Sequence, residues 1–253
     1  MPLYLFSILA APKWVLKEIK RLQRGFLWGY SGPKCKWALV KWDKVCLPKK
    51  AGGIGLRNPM HSNEVMGAKI LWHWLSAPNT PWASLWTAKY ASNNPIEERI
   101  QMSEVGIGSV IWNSAKQHRN LIQQHSFWEI KNGNTARFWE DSWQQLPKIK
   151  DILSHIHVPE QDLHELDKVS QFWNPSSTQG YRRWIEAKQI LRHGSEQAQT
   201  SLYSELQKRK ILSSKGMDIL RWGYEEKGSF TTREAYNVII KERIIKDVLW
   251  SKI

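Results

Sequence analysis

The chain has 253 residues, of which 42% are hydrophobic and 24% charged, proportions typical of a folded globular protein and not of a disordered one. Its formal net charge of +14, with a pI near 9.8, favours an anionic partner: nucleic acid first, and an anionic membrane surface second. No apolar run reaches 18 residues, so the sequence predicts no membrane-spanning segment. The two cysteines, Cys35 and Cys46, are too few for a disulfide framework and fit a reducing compartment.

The first twelve residues, MPLYLFSILAAP, form an apolar run with small residues at Ala10 and Ala11, as in a secretory signal peptide. They lack the positively charged start that such peptides carry. We therefore expect an apolar segment packed within the fold. The expected location is the nucleus or the cytoplasm, and the protein is not expected to be secreted.

Positive charge is concentrated at the amino-terminal end. Residues 1–57 contain twelve of the 37 Lys and Arg residues, against only Glu18 and Asp43. This segment therefore carries +10 of the net +14 in less than a quarter of the chain. The asymmetry predicts that the anionic partner binds here.

The segment from Lys13 to Trp28 is predicted to be an amphipathic helix, with Pro12 at its first position and Gly29 at its end. At about 100° per residue, five cations fall within one arc of about 100°, and no acid lies among them. Four apolar residues fall on the opposite side. We expect the apolar side to be buried and the cations to point outward. The cations are Lys13, Lys17, Lys20, Arg21 and Arg24, and the apolar residues are Val15, Ile19, Leu22 and Phe26.

Tryptophan is several-fold more frequent than usual, with 16 residues spread from Trp14 to Trp250. Most are expected to be large core anchors for short helices. A second interpretation, base-stacking platforms, is confined to Trp28, Trp37 and Trp42, because cations surround them in the sequence.

Residues 30–57 are predicted to form short extended pieces and turns. The glycines of AGGIG match neither of the common phosphate-binding patterns, and they predict a tight turn that needs positive φ. These glycines are Gly52, Gly53 and Gly55.

Further helices follow from apolar spacing and capping residues. The first has Asn58 as N-cap and Pro59 at its first position and runs to about Leu75, before Pro78 and Pro81. The others are expected over Trp82–Tyr90, Ser109–Gln124, Tyr181–His193 and Ser201–Leu212.

Two β-hairpins are predicted in the second half. Asn132-Gly133 is the favoured turn pair for a hairpin within FWEIKNGNTARFWED. Near the carboxyl end, DILRWGYEEKGSFTTREAY predicts a strand, a turn at Gly228, a second strand, and a helix capped by Thr231 or Thr232.

The predicted fold class is α+β, predominantly helical, with two or more small β-hairpins, and with two lobes that divide near residues 170–180. We expect three regions. Residues 1–57 hold the basic helix and the Trp- and Lys-rich extended segment. Residues 58–175 form a helical region with the Asn-Gly hairpin, and residues 176–253 form helices with the carboxyl-terminal element.

No catalytic constellation or cofactor-binding motif is found in the sequence. His155, His157 and His164 lack the regular spacings of zinc sites, as do Cys35 and Cys46. A nucleophile elbow of the GxSxG type is absent. Pairs of acids occur at 97–98, 140–141 and 225–226, each beside a turn, and are interpreted as solvated pairs rather than ligands for two metal ions. We expect no metal, no cofactor and no catalysis by this chain alone.

Three motifs in order resemble plant LINE-type (non-LTR) retrotransposon reverse transcriptases. The run FLWG…WALVKWDKVCLPKKAGGIGLRNP…N…AKILWHWL resembles the segment just downstream of the polymerase palm. FWEIKNGNTARFWEDSW is similar to that family's "W-x-I-G-N-G … F-W-x-D-x-W" element, with Lys131 where the family has Gly. DILRWGYEEKGSFTTREAY is similar to its "D-x-x-x-W … G-x-F-[ST]-x-x-x-A-Y" element.

The resemblance covers residues 5 to about 250 and implies the thumb and connecting region of an RNA-directed DNA polymerase. In the family a Y-x-D-D polymerase motif lies upstream, and a Cys/His zinc-binding segment follows the last tryptophan element. Neither occurs in this sequence, so we expect a truncated gene product or fragment.

The leading hypothesis is a non-catalytic fragment that grips the backbone of RNA, DNA or a hybrid duplex without reading its sequence. If the five cations of the predicted helix each contact a phosphate, the logarithm of the binding constant for duplex DNA should fall with the logarithm of the salt concentration, with a slope of about −4 to −5. The alternatives are an ordinary solvated cationic face on a helical protein-interaction module, and an enzyme with an unrecognised site. Oligomeric state is not predicted, and no membrane partner is expected. The candidate binding residues are Lys13, Lys17, Lys20, Arg21, Arg24, Lys34, Lys36, Lys41, Lys44, Lys49 and Lys50.

Overall fold

The computed structural model describes residues 11–31, 34–35, 37–90, 108–153, 167–173, 183–209, 211, 216–223 and 228–250. These group into two compact units, each built from separate stretches of sequence. The first unit takes its described residues from 1–73, 104–121 and 230–253, and the second from 74–103 and 122–229. The predicted boundaries at residues 57 and 175 stay a prediction.

The described helices are α1 Lys13–Trp28, α2 Trp42–Val45, α3 Pro59–Ser76, α4 Pro81–Tyr90, α5 Val110–Lys116, α6 Arg119–His125, α7 Ile149–Ile152, α8 Ala187–Ile190, α9 Glu196–Lys208 and α10 Thr232–Trp250. Short 3-10 turns cover Lys49–Ala51 and Val169–Phe172. The strands are β1 Tyr30–Ser31, β2 Lys34–Cys35, β3 Ser126–Glu129 and β4 Ile219–Trp222. The α+β, predominantly helical class is therefore confirmed. No helix in the described part is both long and apolar enough to cross a membrane.

Side-chain caps begin three helices, at the two predicted cap positions and at Ser109, where a helix was predicted to start. The Met60 backbone N–H donates to Asn58 Oδ1 at 3.1 Å, which places Asn58 before α3. Ser109 Oγ accepts from the Trp112 N–H at 3.3 Å and caps α5. Thr231 Oγ1 accepts from the Glu234 N–H at 3.1 Å and caps α10. Capping is a local interaction within a few residues, so it can be predicted without knowledge of the tertiary structure.

The single helix predicted over Ser109–Gln124 is instead two, α5 and α6, separated at residues 117–118. At this break the His118 imidazole lies against Gly67 of α3, in the first unit. A Cβ added at Gly67 would come within 2.2 Å of His118 Cδ2. The helical pattern continues through the break, so this packing could not be predicted from periodicity.

The hairpin predicted at Asn132-Gly133 is wrong. β3 pairs antiparallel with β4, from Ser126↔Trp222 to Glu129↔Ile219, about 90 residues further along the chain. Residues 131–136 form bends, with Gly133 at φ 73°. The physical reason is that the carboxylate of Asp218, just before β4, accepts the backbone N–H groups that hairpin pairing would have used.

Four backbone N–H groups donate to Asp218. Oδ1 accepts from Lys131 at 2.7 Å and from Gly133 at 2.9 Å. Oδ2 accepts from Thr135 at 2.9 Å and from Ala136 at 3.4 Å. This buried carboxylate therefore holds the 131–136 segment onto β4 in the second unit.

The other strand and helix predictions are confirmed in part. β4 forms where a strand was predicted, but the described residues 228–231 form no strand, and the Trp222 N–H donates to the Gly228 oxygen at 2.8 Å. β1 and β2 form a small hairpin. Of the helix predicted over Tyr181–His193, the described residues 183–193 form only α8, and the helix predicted from Ser201 begins at Glu196, after the N-cap Ser195.

Tryptophan forms much of the core, as predicted. In the second unit Phe138 stacks on Phe172 with ring centroids 3.7 Å apart, and Trp139 and Trp143 are buried around them. The buried Arg209 guanidinium lies 4.2 Å from the Trp143 ring centroid and pairs with Glu205 at 3.2 Å. It also donates to the carbonyl oxygens of Trp143 and Pro147, so its two terminal nitrogens are matched by hydrogen bonds, while its buried Nε has no partner among the described residues.

Several predictions concern segments outside the described residues. They are the apolar residues 1–10, the His155, His157 and His164 cluster, and the acidic pairs at 97–98 and 225–226.

Candidate nucleic-acid interface

The basic helix α1 has the predicted bounds. It starts directly after Pro12, which is the N-cap rather than the first helical residue, and it ends at Gly29, whose N–H donates to the Gly25 oxygen at 2.8 Å. Gly29 adopts φ 82°, a conformation that glycine tolerates without a steric cost.

The side of α1 that was predicted to be buried is largely exposed. Leu22 exposes 52% and Phe26 93% of its surface, and Val15 and Ile19 are only half-buried. The buried side chain is that of Leu16, on the flank between the apolar and cationic arcs. The prediction was wrong because a helical wheel shows which residues share a face, but not how the helix is rotated against the rest of its unit.

The three α1 lysines lack an acidic partner in the described part of the chain. Lys13 and Lys17 are exposed, and Lys20 is half-buried. Each of these lysines is a point charge able to contact a phosphate.

Arg21 and Arg24 have other contacts. Arg21 Nη2 lies 2.6 Å from Glu18 Oε1, and its Nε donates to the same oxygen at 2.9 Å. This hydrogen bond holds the pKa of the Glu18 carboxyl below its usual range. The Arg24 guanidinium lies 5.6 Å from the Trp28 ring centroid, and its Nε is buried without a hydrogen-bond partner among the described residues. The expectation that no acid neutralises the five cations is therefore wrong for Arg21.

Four more candidate lysines lie on residues 41–50, which we call the basic loop. Lys41, Lys44, Lys49 and Lys50 are all exposed, and none has an ion pair with another described residue. The segment is not extended as predicted, because it contains α2 and a 3-10 turn.

The basic loop is anchored by its apolar residues. Trp42, Val45 and Cys46 are buried together, with Trp28 and Leu56 packed against them. The Ile54 N–H donates to the Val45 oxygen at 3.0 Å. Because the apolar side chains point inward, the lysines between them are held on the outer surface.

The AGGIG turn that follows has the predicted backbone conformation at two of its three glycines. Gly52 and Gly55 both have φ 81°. Gly53 is needed for space instead, since a Cβ there would lie 2.0 Å from the Leu47 oxygen.

The side chains of the remaining two candidate lysines lie outside the described part of the structure. Lys34 lies in β2, opposite Ser31, and only its backbone is described. Lys36 lies outside the described residues.

The three tryptophans proposed as stacking platforms differ in exposure. Trp42 is buried and its ring meets that of Trp28 edge to face, with centroids 5.6 Å apart. Base stacking on Trp42 is therefore excluded, and Trp28 is covered in part by Trp42 and Arg24. Trp37 exposes 95% of its surface. Leu39, which no sequence pattern singled out, is equally exposed.

Neither metal nor thiol chemistry is indicated at this surface. The described residues contain no group of three His, Cys, Asp or Glu side chains able to hold a metal ion. Burial raises the pKa of the Cys46 thiol to about 11, with the nearby Asp43 charge adding to the effect. This thiol is therefore protonated near neutral pH and is a poor nucleophile or metal ligand.

The acidic pair at 140–141 also serves the local structure. Glu140 forms an ion pair with Lys150 at 2.6 Å, and Asp141 Oδ2 accepts the Arg137 N–H at 2.8 Å.

Similar proteins are known from plants. Over 252 residues, 96% of this chain, the sequence is 27% identical to an Arabidopsis thaliana protein named "Putative ribonuclease H protein". The chain spans only 37% of that relative's length. Over 147 residues, 56% of this chain, it is 26% identical to an "Uncharacterized mitochondrial protein" of the same plant, covering 92% of that relative. The chain matches no protein-family profile, and no solved structure is significantly similar to it.

Proposed function

We propose that this chain is the nucleic-acid-binding thumb and connecting part of a plant LINE-type reverse transcriptase, and that it holds template and primer by their phosphates. The single observation that carries the proposal is the set of lysines on α1 and the basic loop, all exposed except the half-buried Lys20, without acidic partners in the described part of the chain. The similarity of nearly the whole chain to a plant protein with a ribonuclease H name supports a transposable-element origin.

The role proposed for this chain is positioning rather than chemistry. Lysines at fixed sites neutralise phosphates and orient a strand without reading bases. In the family that this chain resembles, the carboxylates that catalyse nucleotide polymerisation belong to the Y-x-D-D motif, which lies further upstream. The relative's much greater length leaves room for such further domains in a longer protein.

Charge reversal of three α1 lysines tests the proposal. In the variant Lys13→Glu, Lys17→Glu and Lys20→Glu, duplex binding should weaken and the log–log salt slope should fall in magnitude by about 3, because each phosphate contact contributes about 0.9. Fluorescence anisotropy with a labelled duplex, at several salt concentrations, measures both quantities.

A matched control changes the same total charge elsewhere. Lys89→Glu, Lys188→Glu and Arg192→Glu alter three exposed cations of the second unit. The control should keep the wild-type slope. If both variants lose affinity equally, net charge rather than the α1 surface governs binding, and the proposal is wrong.

A protein-interaction module is the second candidate. It is favoured by exposed apolar side chains on α1, since Trp14, Leu22 and Phe26 all face solvent. Self-association that persists in 1 M salt and is lost on Phe26→Ser would support this candidate, whereas elution from heparin by moderate salt supports nucleic-acid binding.

A further inference from the structure

Trp37 is the most exposed of the described tryptophans in the first unit. Trp42, Trp72 and Trp112 are buried, Trp28 is half-buried and Trp14 exposes 73% of its surface, whereas Trp37 exposes 95%. Leu39 and Val40, which follow it, are exposed as well. An indole left in water exposes apolar area that folding ordinarily removes, so its placement requires an explanation.

Trp37 also lies close in the sequence to lysines that have no ion pair with other described residues. It precedes Lys41 by four residues, so the two Cα atoms are at most about 14 Å apart. Lys41 and Lys44 are exposed and have no ion pair with other described residues. Their backbone is anchored because the neighbouring Trp42 and Val45 are buried. An exposed aromatic ring thus precedes, by four and seven residues, two exposed lysines on an anchored segment.

An exposed ring followed closely in the sequence by exposed lysines complements one ligand chemistry in particular. Lysines alone would hold the phosphates of any nucleic acid. Bases inside a duplex are stacked on each other, and only an unpaired base offers its face to a protein ring. Base stacking on an aromatic side chain contributes about 1–3 kcal/mol per base and tolerates any sequence.

We propose that Trp37 stacks on an unpaired base of a single-stranded segment, while Lys41 and Lys44 neutralise the adjoining phosphates. This inference rests on the proposed function and deepens it, because it makes single-stranded nucleic acid a ligand of the same surface. Aromatic stacking then selects the unpaired strand, and the α1 lysines contribute the sequence-independent attraction.

The test compares the full chain on a single-stranded 12-nucleotide oligouridine and on a duplex of equal length. Trp37→Ala should lower affinity for the single strand by about 5- to 150-fold, the range that one stacked base contributes, and should change duplex affinity less than about twofold. The salt slope should stay unchanged, because no phosphate contact is removed. Trp37→Phe should restore most of the lost affinity.

Leu39→Ala is the matched control, since Leu39 is equally exposed but has no aromatic face. It should leave both affinities unchanged. An equal loss from Leu39→Ala and Trp37→Ala, or an equal loss on both ligands, would overturn the stacking proposal. The same holds if Trp37→Ala dissolves a dimer and leaves single-strand binding intact.

The two proposals fail in different ways. If the wild-type chain binds neither ligand, the proposed function is wrong, and the stacking inference is wrong with it. If the chain binds both ligands with a steep salt slope and Trp37→Ala has no effect, only the stacking inference is wrong.

Discussion

At the scale of single residues, Asp218 stabilises a longer stretch of backbone than any sequence motif around it indicated. Its carboxylate accepts from four N–H groups of residues 131–136 and is nearly inaccessible to solvent. Asp218→Ala should lower the free energy of unfolding by about 3–5 kcal/mol, because buried donors would be left without an acceptor. Urea denaturation measures the change.

The exposed Asp151→Ala provides the control and should change the free energy of unfolding by less than about 0.5 kcal/mol. Asp218→Asn, which keeps one acceptor oxygen, should fall between the two. An equal effect of Asp218→Ala and Asp151→Ala would show that the 131–136 segment is held by other contacts.

His118 should make stability depend on pH. Burial lowers the pKa of its imidazole to about 4, from 6.5 in an unfolded chain. The unfolded state therefore binds a proton first as the pH falls. Its contribution to stability is present above pH 6.5 and is lost as the pH falls through 4, by roughly 3 kcal/mol in total.

Urea midpoints measured between pH 7 and pH 4 test this dependence. His118→Asn should flatten the curve in that range, whatever its effect on stability at pH 7. The exposed His193→Asn should leave the slope as in the wild type. A wild-type slope in the His118 variant would assign the pH dependence to other groups.

At the scale of elements, the rotation of α1 decides which residues are available to a partner. The structure buries Leu16 and exposes Phe26. Leu16→Ala should therefore lower the free energy of unfolding by about 2–3 kcal/mol, whereas Phe26→Ala should change it by less than about 0.5 kcal/mol. Thermal denaturation compares the two variants directly. A larger loss of stability for Phe26→Ala than for Leu16→Ala would show that α1 buries the side expected from the helical wheel.

The pairing of β3 shows a second effect at this scale. Asn132-Gly133 has the local preference for a hairpin turn, yet β3 pairs with β4 and the turn segment folds around Asp218. Gly133 is still required, since a Cβ there would lie 2.4 Å from the Trp173 ring. The local signal thus identified a position with positive φ correctly and the strand partner wrongly.

At the scale of the whole molecule, the distribution of charge supports the proposed function more strongly than any single motif. The first 57 residues carry most of the net charge, and the described lysines among them are largely exposed. The three-lysine variant and its charge-matched control test whether this local concentration of charge is responsible for binding. They separate a localised binding surface from the general attraction of a protein with net charge +14.

The sequence by itself determined the bounds of α1, the caps of α3 and α10, the helical class and the basic amino-terminal end. These depend on interactions within a few residues or on composition, which the chain carries wherever it folds. Tertiary structure alone decided the partner of β3, the face of α1 that is buried and the exposure of Trp37. Each of these depends on which distant surfaces come together or which rotamers pack there, and local pattern contains no information about either.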